Sequence, residues 1–382
     1  MRAGFSFRVT ASEGAARAGL LTTPHGVVET PAFMPVATYG AVRGVSPAEL
    51  VAAGAQIVLA NTYHLHERPG DEIVAGLGGL HGFTGWRGPW LTDSGGYQVM
   101  SLADRARVDE DGVTFASALD GRRRRLTAEL AMQIQQRLGA DIAMALDECP
   151  AREEPGDEPS LRVQAATERT LRWAERCRRA HTRADQALFG IVQGGTNEGL
   201  RRSSAARTAS VGFDGYAHGG LGLGEEHARR DDLVRAAHAE LPAGAPRYLM
   251  GIGRPQDLLS AIDAGVDLFD CVLPTRHARH GVLYTSHGTL HLRNARFRDD
   301  PAPLDDACDC PACTTHSRAF LHHMLRGGEA LGARLASLHN LRFYMQLLAS
   351  ARRAIAEGGF CALRARSEVL AGRRASEARS EP

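Results

Sequence analysis

Short apolar runs recur along the chain, and longer segments with helical spacing of apolar residues lie between them. Most runs end in polar or glycine-rich residues, which is typical of alternating strands and helices. Eight runs have the composition of strands: Phe33 to Val36, Ile57 to Ala60, Trp90 to Thr92, Ile142 to Leu146, Leu188 to Val192, Gly215 to Ala217, Tyr248 to Gly251 and Val266 to Phe269. Eight parallel strands are the number that closes a (β/α)8 barrel.

Helical periodicity is clearest at Ser46 to Ala53, Ala128 to Leu138 and Leu161 to His181. A doubly wound open sheet has the same alternation, but no G-x-G-x-x-G phosphate turn follows the first strand. We therefore predict an α/β protein in which one TIM barrel domain spans residues 1–382.

Two segments fall outside this pattern. Ala151 to Pro159 is rich in acid and proline and predicts a long surface loop, and residues 366–382 predict a disordered tail. No stretch approaches the ~20 apolar residues of a membrane helix, and the first 26 residues lack a signal-peptide pattern. The sequence thus predicts a cytoplasmic protein with no membrane partner.

The charge balance excludes a polybasic protein, because the formal net charge is only +1. All 45 basic residues are arginine, a bias that the base composition of a genome can produce. A local basic face remains compatible with this average.

Three cysteines, Cys308, Cys310 and Cys313, form a C-x-C-x-x-C cluster, and His339 follows on a helical pattern. Such close cysteines pair poorly as disulfides, whereas three thiolates and one imidazole form a closed tetrahedral zinc shell. The fourth ligand stays open on sequence alone, since three other histidines lie nearby: His316, His322 and His323. We predict a structural Zn²⁺ in a subdomain at about residues 296–345.

Two aspartates follow predicted strands, Asp93 before Gly95 and Gly96, and Asp270 after Phe269. Each alone could be a turn or cap residue, but two carboxylates at one barrel mouth can divide nucleophilic and proton-transfer roles. The neighbouring Cys271 is predicted to be inert packing.

Seven motifs occur in one order: Asn61-Thr62-Tyr63-His64-Leu65, Thr92-Asp93-Ser94-Gly95-Gly96, Asp147-Glu148-Cys149, Gln193-Gly194-Gly195, Gly219-Gly220-Leu221, Asp270-Cys271-Val272-Leu273-Pro274-Thr275-Arg276 and the cysteine cluster. In this the chain resembles the tRNA-guanine transglycosylases, from about Phe5 to Phe360. The resemblance implies exchange of guanine at the anticodon wobble position by double displacement, with Asp270 as nucleophile and Asp93 as general acid/base.

The resemblance also implies the binding residues. Those for the base are Asp93, Tyr97, Asp147, Gln193, Gly220, Leu221 and Met250. Arg254, Arg276 and Arg279 are implied to contact the RNA. Leu223 and Cys149 favour 7-aminomethyl-7-deazaguanine (preQ1) over the bulkier queuine, and the step would belong to queuosine biosynthesis. The family's usual asparagines are replaced here by His277 and His280.

Further implied or candidate contacts lie outside the barrel mouth. The resemblance implies a homodimer through Phe320, His316 and His323 with the region near Phe83. The run Arg122 to Arg125 is a candidate phosphate contact, although such runs are usually solvated.

Two other functions compete with this reading. A non-catalytic RNA-binding subunit would have lost active-site residues, whereas both Asp93 and Asp270 are retained. A hydrolase with catalytic zinc that acts on a small molecule would need an open coordination position on the metal.

Overall fold

The structure is a computed structural model that describes residues 4–102, 106–117, 119–150 and 159–377. Its strands are β1 Ser6–Glu13, β2 Ala16–Thr23, β3 Gly26–Thr30, β4 Ala32–Ala37, β5 Val58–Ala60, β6 Trp90–Thr92, β7 Arg107–Val108, β8 Gly112–Ala116, β9 Arg123–Thr127, β10 Ile142–Met144, β11 Ala187–Val192, β12 Gly215–His218, β13 Arg247–Leu249, β14 Leu268–Cys271, β15 Val282–Thr285 and β16 Gly288–His291. Its helices are α1 Pro47–Ala53, α2 Thr62–Glu67, α3 Asp71–Gly76, α4 Gly79–Thr84, α5 Gly96–Leu102, α6 Ala128–Leu138, α7 Leu161–Ala180, α8 Glu198–Val211, α9 His227–His238, α10 Pro255–Asp263, α11 Leu273–Arg279, α12 Pro311–Thr315, α13 Arg318–Gly327, α14 Ala330–Glu357 and α15 Phe360–Glu377, with a 3₁₀ turn at Ala295–Phe297.

Eight strands form a closed parallel barrel in the order β10-β11-β12-β13-β14-β4-β5-β6. Each predicted strand corresponds to one of them, with bounds that differ by at most a few residues, so the (β/α)8 prediction is confirmed. The three predicted helices are α1, α6 and α7.

The barrel strands are apolar because both of their faces are covered. All six residues of β11 are buried, with helices on the outside and the opposite strands on the inside. The helices begin where the sequence provides a cap: Ser46 forms a capping box with Glu49 at α1, and Thr127 accepts the Leu130 amide at α6.

An antiparallel sheet of β1, β2 and β3 precedes the barrel and covers its amino-terminal end. Leu21 and Val28 from this sheet belong to the core that fills the barrel. Arg17 on β2 pairs with Asp267, directly before β14, with Nε 2.9 Å from Oδ1. The pattern of apolar runs does not predict this sheet. Its first strand is largely exposed and contains polar residues, and its strands are not separated by helices.

A second small core forms around the cysteine cluster. It includes residues from the β15–β16 hairpin, α12, α13 and the start of α14, and extends from Ala278 to Ala336. This core thus starts upstream of residue 296, where the sequence placed the subdomain, because Leu283 and Leu292 pack into it.

Two further predictions concern the loop at Ala151 to Pro159 and the C-terminal residues 366–382. The loop predicted at Ala151 to Pro159 falls almost entirely outside the described residues. Helix α15 runs to Glu377, so residues 366–377 are helical where the sequence predicted a disordered tail; Arg364 on this helix pairs with Asp263 on α10 at 2.5 Å. Among the described residues, no helix is both long and apolar enough to cross a membrane.

Candidate active site

A cavity of about 320 Å³ opens at the carboxyl ends of the barrel strands. Ligand pockets run from about 300 to 1,000 Å³, so this cavity suits one small ring system. Of the predicted catalytic and base-binding residues, it is lined by Asp93, Tyr97, Asp147, Gly220, Leu221, Met250 and Asp270. Residues separated by almost 180 positions thus meet in one place, as barrel topology requires.

Asp93 follows β6 and is held by the next segment of the barrel. Its Oδ1 accepts the backbone amides of Thr62 at 2.9 Å and Gly95 at 3.1 Å, and its Oδ2 accepts the Asn61 amide at 2.6 Å. Gly95 has a φ of 79°, a left-handed conformation that glycine adopts without strain. The carboxyl group is therefore fixed by three donors.

Asp270 lies at the end of β14. Both of its hydrogen bonds go to Oδ1, from the Tyr248 hydroxyl at 2.5 Å and the Gly251 amide at 2.8 Å. Within the described residues, no hydrogen bond occupies Oδ2, the other oxygen of this cavity-lining carboxylate. This arrangement orients the carboxylate and leaves one oxygen for a ligand.

Burial sets the ionisation of these carboxyl groups. Burial and, to a smaller extent, the negative charge of Asp270 together raise the pKa of Asp93 to about 7, against the hydrogen bonds that lower it. Burial also raises the pKa of Asp270, but the Tyr248 and Gly251 donors oppose that change. Because the charge of Asp270 acts on Asp93, the first proton to leave the pair comes from Asp270.

The raised pKa of Asp93 predicts a pH-dependent loss of stability. Between pH 3.8 and about 7 the folded protein retains a proton that the unfolded chain has released, so the free energy of unfolding falls across that window and not above it. The size of the effect is on the order of 4 kcal/mol. In Asp93→Asn this contribution is absent, and urea unfolding of both proteins at a series of pH values should show it. Parallel pH curves would contradict the assignment.

Another part of the cavity wall is formed by Asp147 and the Gly219-Gly220 segment. Gln193 donates from Nε2 to Asp147 Oδ2 at 2.7 Å. A Cβ atom at Gly219 or Gly220 would lie 2.5 Å from the Gln193 amide, so a side chain at either position would displace that amide, and the φ of 67° at Gly220 also favours glycine. Burial raises the pKa of Asp147 to about 6.

Gln193 is 1% exposed and donates to Asp147, and it is not among the residues that line the cavity. Its contact with the base stays a prediction. Its Oε1 has no hydrogen-bond partner among the described residues. The other predicted contacts lie at the cavity itself, with Tyr97 half exposed and Leu221 buried.

The two thiols that border the cavity are poor nucleophiles. Burial raises the pKa of Cys149 and of Cys271 to about 12 in each case, and the charge of Asp270 adds to the effect on Cys271. A thiol with such a pKa carries almost no thiolate at neutral pH. This supports the prediction that Cys271 is inert.

A basic rim lies beside Asp270. It consists of exposed Arg254 and Arg276 and half-buried Arg279. No ion pair neutralises these three arginines within the described part of the chain. The pKa of His277 is lowered by burial and also by the positive charges of Arg254 and Arg276. Burial lowers the pKa of Arg279 as well, with contributions from Arg43 and Arg276. The rim is therefore a region of positive charge without a direct ion-pair partner among the described residues.

The arginine run after Asp120 is different, because acidic residues neutralise much of it. Arg124 pairs with Glu67 at 2.6 Å, and Arg125 pairs with Asp109 and Asp111. These pairs favour the reading of this run as a solvated strand.

The cysteine cluster is buried and converges on a single imidazole. Cys310 Sγ and Cys313 Sγ lie 3.6 and 3.3 Å from Nδ1 of His339, and Cys308 completes the group. Tetrahedral zinc keeps sulfur and nitrogen ligands about 3.5 Å apart. The His339 Nε2 lies 2.8 Å from the Tyr284 carbonyl oxygen, which accepts its proton and leaves Nδ1 for a metal.

This geometry bears on two questions that the sequence leaves open, which histidine is the fourth ligand and whether the metal is catalytic. His322 is not part of the group, since its Nδ1 contacts the Leu292 carbonyl at 2.7 Å, and His316 stacks on Phe320. None of the four converging residues lines the cavity. A shell filled by protein ligands has no position for a reacting water, which disfavours the catalytic-zinc hydrolase.

Several residues that hold the aspartates and the cavity wall in place are not predicted from the sequence. Asn61 and Tyr248 orient the two aspartates, yet neither a lone amide nor a strand tyrosine has a distinctive pattern. Arg201 is fully buried and donates to the carbonyl oxygens of Gly195 and Gly219 at 2.7 and 2.8 Å. These bonds stabilise the loops that form the cavity wall. The sequence does not indicate this role, because it depends on the position of α8 next to those loops.

Comparison with known proteins decides the family. The model of the family described as queuine tRNA-ribosyltransferase matches residues 12–369. The chain belongs to this family. Queuine tRNA-ribosyltransferases of Thermus thermophilus and Sphingopyxis alaskensis are 54% and 51% identical to it, over 93% and 95% of this chain and 91% and 97% of theirs. That of Sorangium cellulosum is 53% identical over 94% of this chain and 90% of its own. Queuine tRNA-ribosyltransferases are glycosyltransferases, so the predicted family and enzyme class are confirmed.

Proposed function

We propose that this chain exchanges guanine at the wobble position of tRNA for preQ1, through a covalent enzyme–RNA intermediate, as a step of queuosine biosynthesis. The observation that carries the proposal is the cavity shared by Asp93, Asp270 and Asp147. Family membership supports the transfer of a ribose-bound base, and the carboxylates provide the chemistry.

Asp270 is the nucleophile in this proposal. Its Oδ2 attacks C1′ of the wobble ribose, the bond from C1′ to the guanine nitrogen breaks, and the ribose becomes an ester of the carboxylate. Tyr248 and Gly251 hold Oδ1, which keeps the carboxylate ionised and aimed at the cavity.

Asp93 moves the proton. With a pKa of about 7, its carboxyl group can protonate the departing guanine nitrogen and then, as a carboxylate, remove the proton from the incoming ring nitrogen. That nitrogen attacks C1′ and releases Asp270. Protons and electron pairs balance over the cycle, because one ring nitrogen gains the proton that the other loses.

Asp147 and Gln193, which donates to it, bind the edge of the base together with the Gly220 backbone. A carboxylate suits the ring N–H and amino groups of a guanine-like base. Tyr97 provides a stacking surface, and Leu221 and Met250 border the 7-substituent. Leu223 also lines the cavity and limits its width, which favours the aminomethyl group of preQ1 over a bulky substituent.

The basic rim of Arg254, Arg276 and Arg279 contacts the RNA in this proposal. It adjoins the nucleophile through α11, so phosphates next to the wobble nucleotide would meet these arginines. Arginine without an acidic partner is suited to such contacts.

We assign zinc to the cluster of Cys308, Cys310, Cys313 and His339, because three thiolates and an imidazole prefer that metal. The ion would stabilise the small core between the barrel and α14 and the proposed subdomain at about residues 296–345. We also propose a homodimer through the surface around Phe320, near the stacked His316, with the region of the partly exposed Phe83. Sedimentation equilibrium tests it, and a monomer at micromolar concentration would contradict it.

Mass spectrometry of an anticodon stem-loop tests the function and the substrate together. The enzyme is incubated with the RNA and with preQ1, queuine or adenine, and the wobble nucleoside is then identified. We expect preQ1 to replace guanine, queuine to be incorporated poorly and adenine not at all. Failure of every base to enter the RNA would contradict the proposal, and efficient entry of queuine would contradict the assignment to preQ1.

Replacing Tyr248 by phenylalanine tests how Asp270 is kept ionised. The hydroxyl lowers the pKa of Asp270, so its loss should raise that pKa and move the acidic limb of the kcat profile to higher pH. We expect kcat to fall about tenfold to a hundredfold, the value of a hydrogen bond to a charged group. Tyr216→Phe is the matched control, since Tyr216 is also buried but lies on β12 and contacts the Phe213 amide. An unchanged pH profile in Tyr248→Phe would refute this role.

A further inference from the structure

A second cluster of metal-binding side chains lies at the amino-terminal end of the barrel, away from the cavity. His25 is in the turn between β2 and β3, His81 is on α4, and Asp141 directly precedes β10. His25 Nδ1 lies 2.8 Å from Asp141 Oδ1, and His81 Nε2 lies 3.4 Å from Asp141 Oδ2. The two imidazole rings stack on each other with centroids 3.5 Å apart, and a nitrogen of each lies near the same carboxylate.

The Asp141 carboxylate is a buried charge without a permanent counterion. Its side chain is 0% exposed, and its oxygens accept the backbone amides of Trp90 at 2.8 Å and His25 at 3.2 Å. No arginine pairs with it among the described residues, and buried charges are paired or coordinate metals.

We propose that His25, His81 and Asp141 bind a divalent transition metal ion. One potential ligand atom from each residue lies within 4.8 Å of the others. Each imidazole lies beside a different oxygen of the carboxylate, His25 Nδ1 2.8 Å from Oδ1 and His81 Nε2 3.4 Å from Oδ2, so Asp141 offers an oxygen next to either nitrogen. The ion replaces the proton that His81 Nε2 shares with the Gly88 carbonyl, 3.1 Å away.

The chemistry of this site differs from that of the cysteine cluster. Two imidazoles and one carboxylate suit zinc, cobalt or nickel and offer no thiolate. The His25 side chain is 39% exposed, which gives an ion a path from solvent and leaves room for water ligands. The ion would join the β2–β3 turn, α4 and the start of β10, and it would stabilise the closed end of the barrel rather than act on the base.

Titration of the zinc-loaded protein with Co²⁺ tests this site. We expect one additional ion per chain by calorimetry, ligand-field absorption without thiolate-to-cobalt bands, and a higher Tm. His25→Ala should weaken this binding at least tenfold and leave guanine exchange and the resident zinc unchanged. Because His25 is partly exposed, this variant avoids the buried Asp141, whose loss would free the Trp90 amide.

His287→Ala is the matched control. His287 lies 2.9 Å from Asp306, but both side chains are exposed, and the variant should bind Co²⁺ like the unmodified protein. The proposal is overturned if no additional ion binds, if His25→Ala binds as tightly as the unmodified protein, or if thiolate bands show that cobalt has entered the cysteine cluster.

Discussion

Asp270→Asn is expected to lower guanine exchange by about 10⁴-fold or more and to eliminate the covalent enzyme–RNA species. An amide cannot form the ester, although it preserves the shape of the side chain and can still accept the Tyr248 and Gly251 hydrogen bonds. The measurement is incorporation of labelled guanine into an anticodon stem-loop, together with a denaturing gel that retains covalent adducts.

Cys271→Ser provides the comparison, because this thiol borders the same cavity. A high thiol pKa argues that it does not attack the ribose, so the adduct should persist in this variant. An adduct that persists in Asp270→Asn and disappears in Cys271→Ser would transfer the nucleophilic role to the thiol. Wild-type exchange by Asp270→Asn would remove Asp270 from the reaction altogether.

Loss of the zinc ion that we propose for the cysteine cluster is expected to unfold the small core around it. Cys310→Ser should reduce bound zinc from one ion per chain to none and lower the free energy of unfolding of this region by about 5 kcal/mol or more. The reason is that Cys308, Cys310 and Cys313 are themselves part of that core, which the ion would cross-link to His339 on α14. Hydrogen exchange of residues 278–336 measures the change.

Cys361→Ser is the control for this experiment, since Cys361 is exposed and lies outside the cluster. It should retain the metal and the protection of the amides. Full zinc content in Cys310→Ser would show that the ion is bound elsewhere. Normal protection without zinc would show that the apolar contacts are sufficient alone.

The barrel was predictable because its strands are buried on both faces and therefore form nearly continuous apolar runs. The run from Leu188 to Val192 is an example, since the strand there differs from the prediction by one residue. The sheet of β1 to β3 was not predictable in this way. Its residues at Ser6–Glu13 are largely exposed, and tertiary contacts with the barrel end determine its place.

The site shows the same division. Asp93 and Asp270 could be selected because polar residues after strands meet at the barrel mouth, whatever their distance in sequence. The spacing of residues along the sequence does not show how far each side chain lies from the cavity. The bond from Gln193 to Asp147 is therefore visible only in the structure, and the direct contact of Gln193 with the base stays a prediction. The choice of His339 among four histidines also required the fold, because α14 brings it back to the cysteines.

The sheet that closes the barrel also constrains how the protein is made. Arg17 needs Asp267, 250 residues later, and Glu13 accepts the Phe360 amide at 2.8 Å, 347 residues later. A growing polypeptide on the ribosome can therefore pair β1, β2 and β3 early, but it cannot form these two contacts of the sheet until almost the whole message has been translated. Until then Leu21 and Val28 lack part of their final surroundings, so the nascent chain exposes apolar surface that invites chaperones.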